Sequence, residues 1–283
     1  MPQRLPLLIR IALASERFRC TVERLQRLLS EEVLWAWTGP QQREAINRVV
    51  YSGKEMYLPG GRIFEEGLLD RERIAFATPP FPPSGRILLG GAGGGRELHA
   101  LCGMGYDVMA FDPCEQLCEG ARQVVSGYPK STVVCASYAD LVTAAEQRSG
   151  PLAAHVLNTS FDAVLFGLRS FNYVFTDLDR EALLRATRTI APKAPLLFTF
   201  VVRPQGAENG RLDRLRAPLR RLFKLVKAPS ARRPGDRFML GSGFIHALTH
   251  DEVRTVADQT GYRIVYYRQG DTNLNHHALL MPQ

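Results

Sequence analysis

Six consecutive residues, Gly90-Gly91-Ala92-Gly93-Gly94-Gly95, hold five glycines between the apolar run Ile87-Leu88-Leu89 and the helical pattern Arg96-Glu97-Leu98-His99-Ala100-Leu101. An apolar run of strand length, then glycines, then a helix-patterned segment predicts a parallel strand that enters a helix through a tight turn. Glycine suits such a turn because a bound nucleotide approaches the backbone more closely than a Cβ permits, and because a turn often needs positive φ. The helix start adds free N–H groups and a positive dipole end. This stretch therefore points to a domain that binds a nucleotide-type cofactor.

The residues around it repeat the same unit. Strand patterns fall at Arg86 to Gly90, Asp107 to Phe111, Thr132 to Cys135, Phe161 to Phe166, Pro195 to Val202, Tyr262 to Tyr267 and His277 to Met281. Helical patterns fill the gaps at Arg96 to Met104, Glu115 to Val125, Tyr138 to Arg148, Leu178 to Ile190 and His250 to Thr260, the last opened by a Thr249/Glu252 capping box. Apolar strands alternating with helices imply a parallel sheet covered on both faces and wound by right-handed crossovers. The gap before His277 is too short for a crossover helix, so the last two strands pair antiparallel. The expected class is α/β: a doubly wound, mostly parallel seven-stranded sheet with a C-terminal antiparallel hairpin, plus an N-terminal helical region. Helical periodicity runs from Cys20 to Trp37, ends at Gly39-Pro40, and returns over Gln42 to Val50 and Phe64 to Phe76. The stiff segment Thr78-Pro79-Pro80-Phe81-Pro82-Pro83 cannot continue a helix and places the boundary between residues 1–78 and 79–283.

Charge is distributed unevenly. Of a formal net charge of +8, residues 211–233 carry all the excess: nine Lys or Arg against Asp213 alone, leaving 27 of each sign elsewhere. This run lies in an insert at about 204–240 and contains Leu212, Leu215, Leu219, Leu222, Phe223 and Val226 at helical spacing, with Pro218 as a kink. It reads as a solvated face over the cleft, or as a surface for an anionic membrane or an RNA backbone. Five cysteines without CxxC spacing imply neither a disulfide framework nor a metal site. Arg10 interrupts the apolar start that a signal peptide would need, and no stretch reaches the roughly 20 apolar residues of a membrane span, so a cytoplasmic protein is expected.

The glycine spacing selects the cofactor. The dinucleotide pattern GxGxxG fails, because Arg96 and Leu98 stand where it needs its third glycine, whereas Gly91-x-Gly93-x-Gly95 is present. A strand followed by GxGxG, together with the terminal antiparallel hairpin, resembles the class I S-adenosylmethionine-dependent methyltransferases over about residues 84–283. That resemblance implies S-adenosyl-L-methionine as cofactor, held at Gly91, Ala92, Gly93 and Gly95. Asp112, followed by Pro113 at the end of the second strand, is placed to accept both hydroxyls of a ribose. The resemblance further implies adenine contacts at Ser137 and Tyr138, and a fourth motif whose Phe166 and Gly167 lie beside the reactive methyl. Asp162 reads as an acid in a strand-start turn. Leu89 departs from the pattern, since an acid commonly stands there, and Gly90 and Gly94 are extra glycines.

The acceptor is less legible. Tyr51 and Tyr57, with Phe64, resemble the lid aromatics of methyltransferases that act on small metabolites, while Phe171 and Asn172 continue from the fourth motif toward the substrate. Methyl transfer needs two reactants held close and aligned, and a hydroxyl or ammonium acceptor also benefits from a base near neutral pKa. His246, read as lying in a loop before the last helix, is the candidate for that base. The motifs of amino-methylating and C5-methylating DNA enzymes are absent, so DNA base modification is not expected. The reading is methyl transfer to a small-molecule oxygen or nitrogen. Its alternatives are an RNA or protein methyltransferase that uses the basic insert, and a non-catalytic membrane- or partner-binding module that retains the cofactor fold.

Overall fold

A computed structural model describes residues 7–203, 217–218, 221–223, 225–226, 228, 230, 232–239, 241–268 and 276–283. Helices α1 (Leu7–Trp37), α2 (Pro40–Ser52), α3 (Arg62–Glu65) and α4 (Asp70–Phe76) precede the sheet. Strand β1 (Arg86–Gly90) then leads through α5 (Arg96–Gly103), β2 (Asp107–Asp112), α6 (Glu115–Val125) and β3 (Thr132–Cys135) to α7 (Tyr138–Gln147) and the short α8 (Ala153–Val156). Next come β4 (Ala163–Phe166), α9 (Asp177–Ile190) and β5 (Leu196–Phe200). The chain ends in β6 (Asp236–Met239), β7 (Gly243–His246), α10 (His250–Gln259), β8 (Tyr262–Arg268) and β9 (His276–Pro282).

Seven strands form one sheet in the order β3-β2-β1-β4-β5-β9-β8. The first five are parallel, and β9 runs antiparallel to both β5 and β8. This is the expected doubly wound sheet with its terminal hairpin. Side chains of period two supply its faces. Leu88, Phe111, Val164, Phe166 and Phe198 pack under α7, α9 and α10, while Ile87, Leu89, Ala110, Leu165 and Leu197 meet α5 and α6 on the other side. Asp162 accepts the Arg86 N–H at 2.7 Å and so ties the segment ahead of β4 to the start of β1, a structural duty.

The apolar core does not break at residue 78. Leu68, Ala75, Phe76 and Phe81 belong to the same cluster as Ile87, Leu89 and Leu165, and the Tyr106 hydroxyl donates to the Pro82 carbonyl at 2.6 Å. Most of the basic run lies outside the described residues, as does much of the segment read as an amphipathic helix, including Leu212, Leu215 and Leu219. Two of its described arginines are engaged by the folded body: buried Arg232 pairs with buried Glu32 at 3.0 Å, and Arg233 pairs with Asp177 at 2.9 Å. No described helix is long and apolar enough to cross a membrane.

One element was not anticipated. The end of the insert and the segment after it form a two-stranded antiparallel hairpin, β6–β7, rather than loop. Its signal was present in Asp236-Arg-Phe-Met and Gly243-Phe-Ile-His around the turn residues Gly241 and Ser242. Helix α2 docks on it through Asn47, whose amide donates to the Phe244 carbonyl at 2.9 Å and whose carbonyl accepts the Phe244 N–H at 2.7 Å. Beside this pair Trp35, Phe175 and Phe244 meet edge to face, with the Arg43 guanidinium 3.9 Å from the Trp35 ring. Replacing Asn47 with alanine orphans two buried backbone groups, each worth about 1–3 kcal/mol, so N47A should lower the unfolding free energy by about 2–4 kcal/mol in urea titrations.

Candidate active site

The winding of the sheet reverses between β1 and β4, and open α/β sheets bind ligands outside the carboxyl ends of strands at such a point. A cavity of about 1070 Å³ lies there. Its floor is the glycine turn and the ends of β2, β3 and β4; α2, α7 and α9 form its walls. Gly91, Ala92, Gly93, Asp112, Pro113, Ser137, Tyr138, Tyr51 and Tyr57 all line it.

The turn is held from β2. The Phe111 carbonyl accepts the N–H groups of Gly91 at 2.9 Å and Ala92 at 3.1 Å. Asp112 receives the Gly93 N–H on Oδ2 and the Cys114 N–H on Oδ1, each at 2.9 Å. Burial pushes its carboxyl up to about 6, with Glu97 adding to the rise and the two N–H donors opposing it. A carboxylate accepts about four hydrogen bonds, so Asp112 keeps capacity for a ligand after both backbone bonds are made. Gly93 has φ +55° and nothing within 4 Å of the position a Cβ would take. Gly94 is different: its Cβ would collide with the backbone carbonyl of Tyr57. This extra glycine is where the N-terminal region rests on the turn.

The far wall is phenolic. The Tyr51 and Tyr173 hydroxyls are 2.5 Å apart, and the Tyr51 ring lies 5.5 Å from that of Tyr57. Lys54 sits 4.3 Å from the Tyr51 ring and donates to the Gly241 carbonyl, tying this corner to the β6–β7 turn. Burial raises the Tyr51 phenol to about 12 and the Tyr173 phenol well above its usual value, so both are neutral at pH 7, one donating to the other. Tyr138, also raised by burial, hydrogen-bonds Ser170 at 2.6 Å, and Ser137 caps α7 by accepting the Asp140 N–H.

Several expected residues stand off this wall. His246 lies within strand β7, 1% exposed, with Nδ1 2.7 Å from Asp236 and Nε2 3.8 Å from Glu252. It is walled in by β6 and α10, because the segment read as a loop is a strand that turns this side chain inward. Asn172 is fully buried and staples β5 to β7, donating to the His246 carbonyl at 2.7 Å and accepting the Val201 N–H at 2.8 Å. Phe166 and Phe171 stack with each other in the core. Gly167 donates to the Gly90 carbonyl at 2.8 Å, and its missing Cβ makes room for the Gly91 backbone rather than for a ligand. Gly95 caps α5 and lets it approach Ala121 of α6.

Other wall residues went unread. Gln41, Glu44 and Arg48 line the cavity from α2, at the helical spacing that continues to Tyr51, so the periodicity that predicted the helix also marked this polar face. Arg96 and Glu97 enter from the first turn of α5. Among the described residues no group of three or more His, Cys, Asp or Glu is placed to hold a metal ion.

The comparison with known proteins agrees with this architecture. No family model matches the sequence, and no curated protein matches it. Solved structures do. A Leishmania major S-adenosylmethionine-dependent methyltransferase superposes with a TM-score of 0.54 at 15% identity, over 86% of this chain and 85% of its own. Magnesium protoporphyrin IX methyltransferase from Synechocystis PCC 6803, solved with bound S-adenosylhomocysteine, gives 0.51 at 15% identity over 78% and 85%. A glycopeptide N-methyltransferase in complex with S-adenosylmethionine gives 0.51 at 14% over 75% and 93%. The fold is that of the class I S-adenosylmethionine-dependent methyltransferases.

The two glycines that face different ways give a direct test. Gly94→Ala should lift the segment around Tyr57 and expose residues 53–61 to limited proteolysis. Gly93→Ala should leave that segment as protected as in the unaltered protein, because its Cβ projects into open space.

Proposed function

We propose that this protein transfers the methyl group of S-adenosyl-L-methionine to an oxygen or nitrogen of a small-molecule acceptor. The observation that carries the reading is the cavity itself. It joins the glycine turn and Asp112 to the paired tyrosines in one space of about 1070 Å³. A single ligand pocket spans about 300–1,000 Å³, so a nucleotide-sized cofactor leaves room beside it for a second reactant. The fold supports the same reading.

When bound, S-adenosylmethionine supplies an electrophilic methyl group on a cationic sulfur. Asp112 accepts the ribose hydroxyls, Gly91, Ala92 and Gly93 offer open backbone, Pro113 borders them, and Ser137 and Tyr138 face the adenine. Tyr51, Tyr57 and Tyr173 orient the acceptor. The N-terminal helices act as a lid: Tyr57 rests on Gly94, and Lys54 latches the corner to the Gly241 carbonyl. Neutral phenols donate hydrogen bonds but do not take a proton at pH 7, and His246 does not reach the cavity. The acceleration assigned to these residues is therefore alignment and exclusion of water. A role for the basic run on RNA or a membrane has less support, since Arg232 and Arg233 are spent on Glu32 and Asp177.

Two measurements follow. Calorimetry should detect S-adenosylmethionine binding to the unaltered protein and none to Gly93→Val, whose circular dichroism stays unchanged; binding that survives the substitution would place the cofactor elsewhere. Because ribose hydroxyls donate to the ionised Asp112, affinity should be constant above neutrality and fall as pH drops through about 6. Asp112→Asn should weaken binding by about 10–100-fold, the worth of hydrogen bonds to a charged group, and flatten that pH dependence.

A further inference from the structure

Helix α5 brings two charged side chains into the protein at its first turn. Arg96 is 6% exposed and Glu97 5%. The guanidinium makes a two-pronged pair with Glu72 at 2.8 and 2.7 Å, donates to the Gly67 carbonyl at 2.6 Å, and reaches Glu97 Oε1 at 2.8 Å. Burial raises the Glu72 carboxyl, but both its oxygens accept from Arg96 and Oε2 also accepts the Leu69 N–H at 2.8 Å, a donor-only surrounding that matches a carboxylate. One cation thus serves two buried anions. The triad carries a net charge of −1, and the surplus sits on Glu97.

Leaving a buried charge without its counter-charge costs several kcal/mol. A folded protein keeps such a group when something outside the triad completes it. Glu97 Oε1 also accepts the Leu168 N–H at 2.9 Å, but Oε2 receives no hydrogen bond among the described residues. Glu97 borders the cavity, and its charge is felt across it, where it raises both Asp112 and Tyr138. Arg169, another cation on the wall, acts on the Tyr51 and Tyr173 phenols. The sheet order β2-β1-β4 separates Asp112, at the end of β2, from Leu168, just past β4, by two strand spacings, about 10 Å. A ligand whose ribose lies on Asp112 extends its other end toward Glu97.

We infer that Glu97 anchors the α-ammonium of S-adenosylmethionine, so that the cofactor's own positive charge completes the Glu72–Arg96–Glu97 triad. This inference rests on the methyltransferase reading above. It gives the chain an acidic anchor in the first turn of α5, across the glycine turn from Leu89, which is itself fully buried in β1.

Calorimetry on the full chain, unaltered and as E97Q, tests it with three ligands. S-adenosylmethionine has both ammonium and sulfonium, S-adenosylhomocysteine only the ammonium, and 5′-methylthioadenosine neither. The expected result is that E97Q loses about 10–100-fold in affinity for the first two and is unchanged for the third. Equal loss on all three would mean that Glu97 only braces Leu168. Loss on S-adenosylmethionine alone would assign the charge to the sulfonium, and no loss on any ligand would remove Glu97 from the site; each of these overturns the inference but leaves the methyltransferase reading standing. If the unaltered protein binds none of the three, that reading fails and this one with it. E97Q keeps an oxygen for Leu168 and makes the triad neutral, so its melting temperature should equal or exceed that of the unaltered protein. A ligand-side comparison covers the case in which E97Q does not fold: the unaltered protein should bind deaminated S-adenosylhomocysteine about 10–100-fold more weakly than S-adenosylhomocysteine, and equal binding overturns the inference.

Discussion

The arrangement of this cavity depends on one buried carboxylate. Asp112 ends β2 and fastens two turns at once, the glycine turn through the Gly93 N–H and the start of the next βα connection through the Cys114 N–H. Neither N–H is then orphaned where helix starts and turns commonly leave such groups. The cost is a charge in a desolvated place, offset by two hydrogen bonds and by the ligand capacity that remains. The binding role proposed for Asp112 falls on the same atoms as its structural one, so the turn is already shaped without a ligand.

Around that fixed floor the second half of the cavity is built from sequence-distant parts. Tyr51 comes from α2, Tyr173 from the single turn after β4, and Gly241 from the β6–β7 turn, which Lys54 reaches from the other side. The hairpin also explains why His246 is structural. Asp236 and His246 are register partners, and their hydrogen bond is sealed between the strands and α10. A polar pair in that position specifies how the insert returns to the sheet rather than what the cavity does.

Much of the sheet was legible because its signals are local. The continuous apolar runs of β1, β4 and β5 announce parallel strands buried on both faces, and the short gap between β8 and β9 leaves only an antiparallel pair. The floor of the cavity was legible for the same reason: the glycine turn, Asp112 and Ser137-Tyr138 each lie at or just past the end of a strand. What stayed hidden depends on contacts distant in sequence. Nothing local shows that Gly94 is needed for the Tyr57 backbone, that Asn172 faces β7, or that the Arg96 charge is divided between Glu72 and Glu97. The helical spacing of Gln41, Glu44, Arg48 and Tyr51 is the exception, a local pattern that marked a cavity wall.

The Asn47 side chain has a meaning beyond anchoring α2. A two-stranded hairpin ends in open edges, and an open edge offers unpaired N–H and C=O groups to any passing strand. On β7 the Phe244 N–H and carbonyl that face away from β6 are met by one amide of the right geometry, so a single side chain stands in for a third strand. Helix α2 thereby closes the edge without extending the sheet. An insertion that brings a short β-ribbon to the rim of the cavity arrives already protected from pairing with another copy of itself.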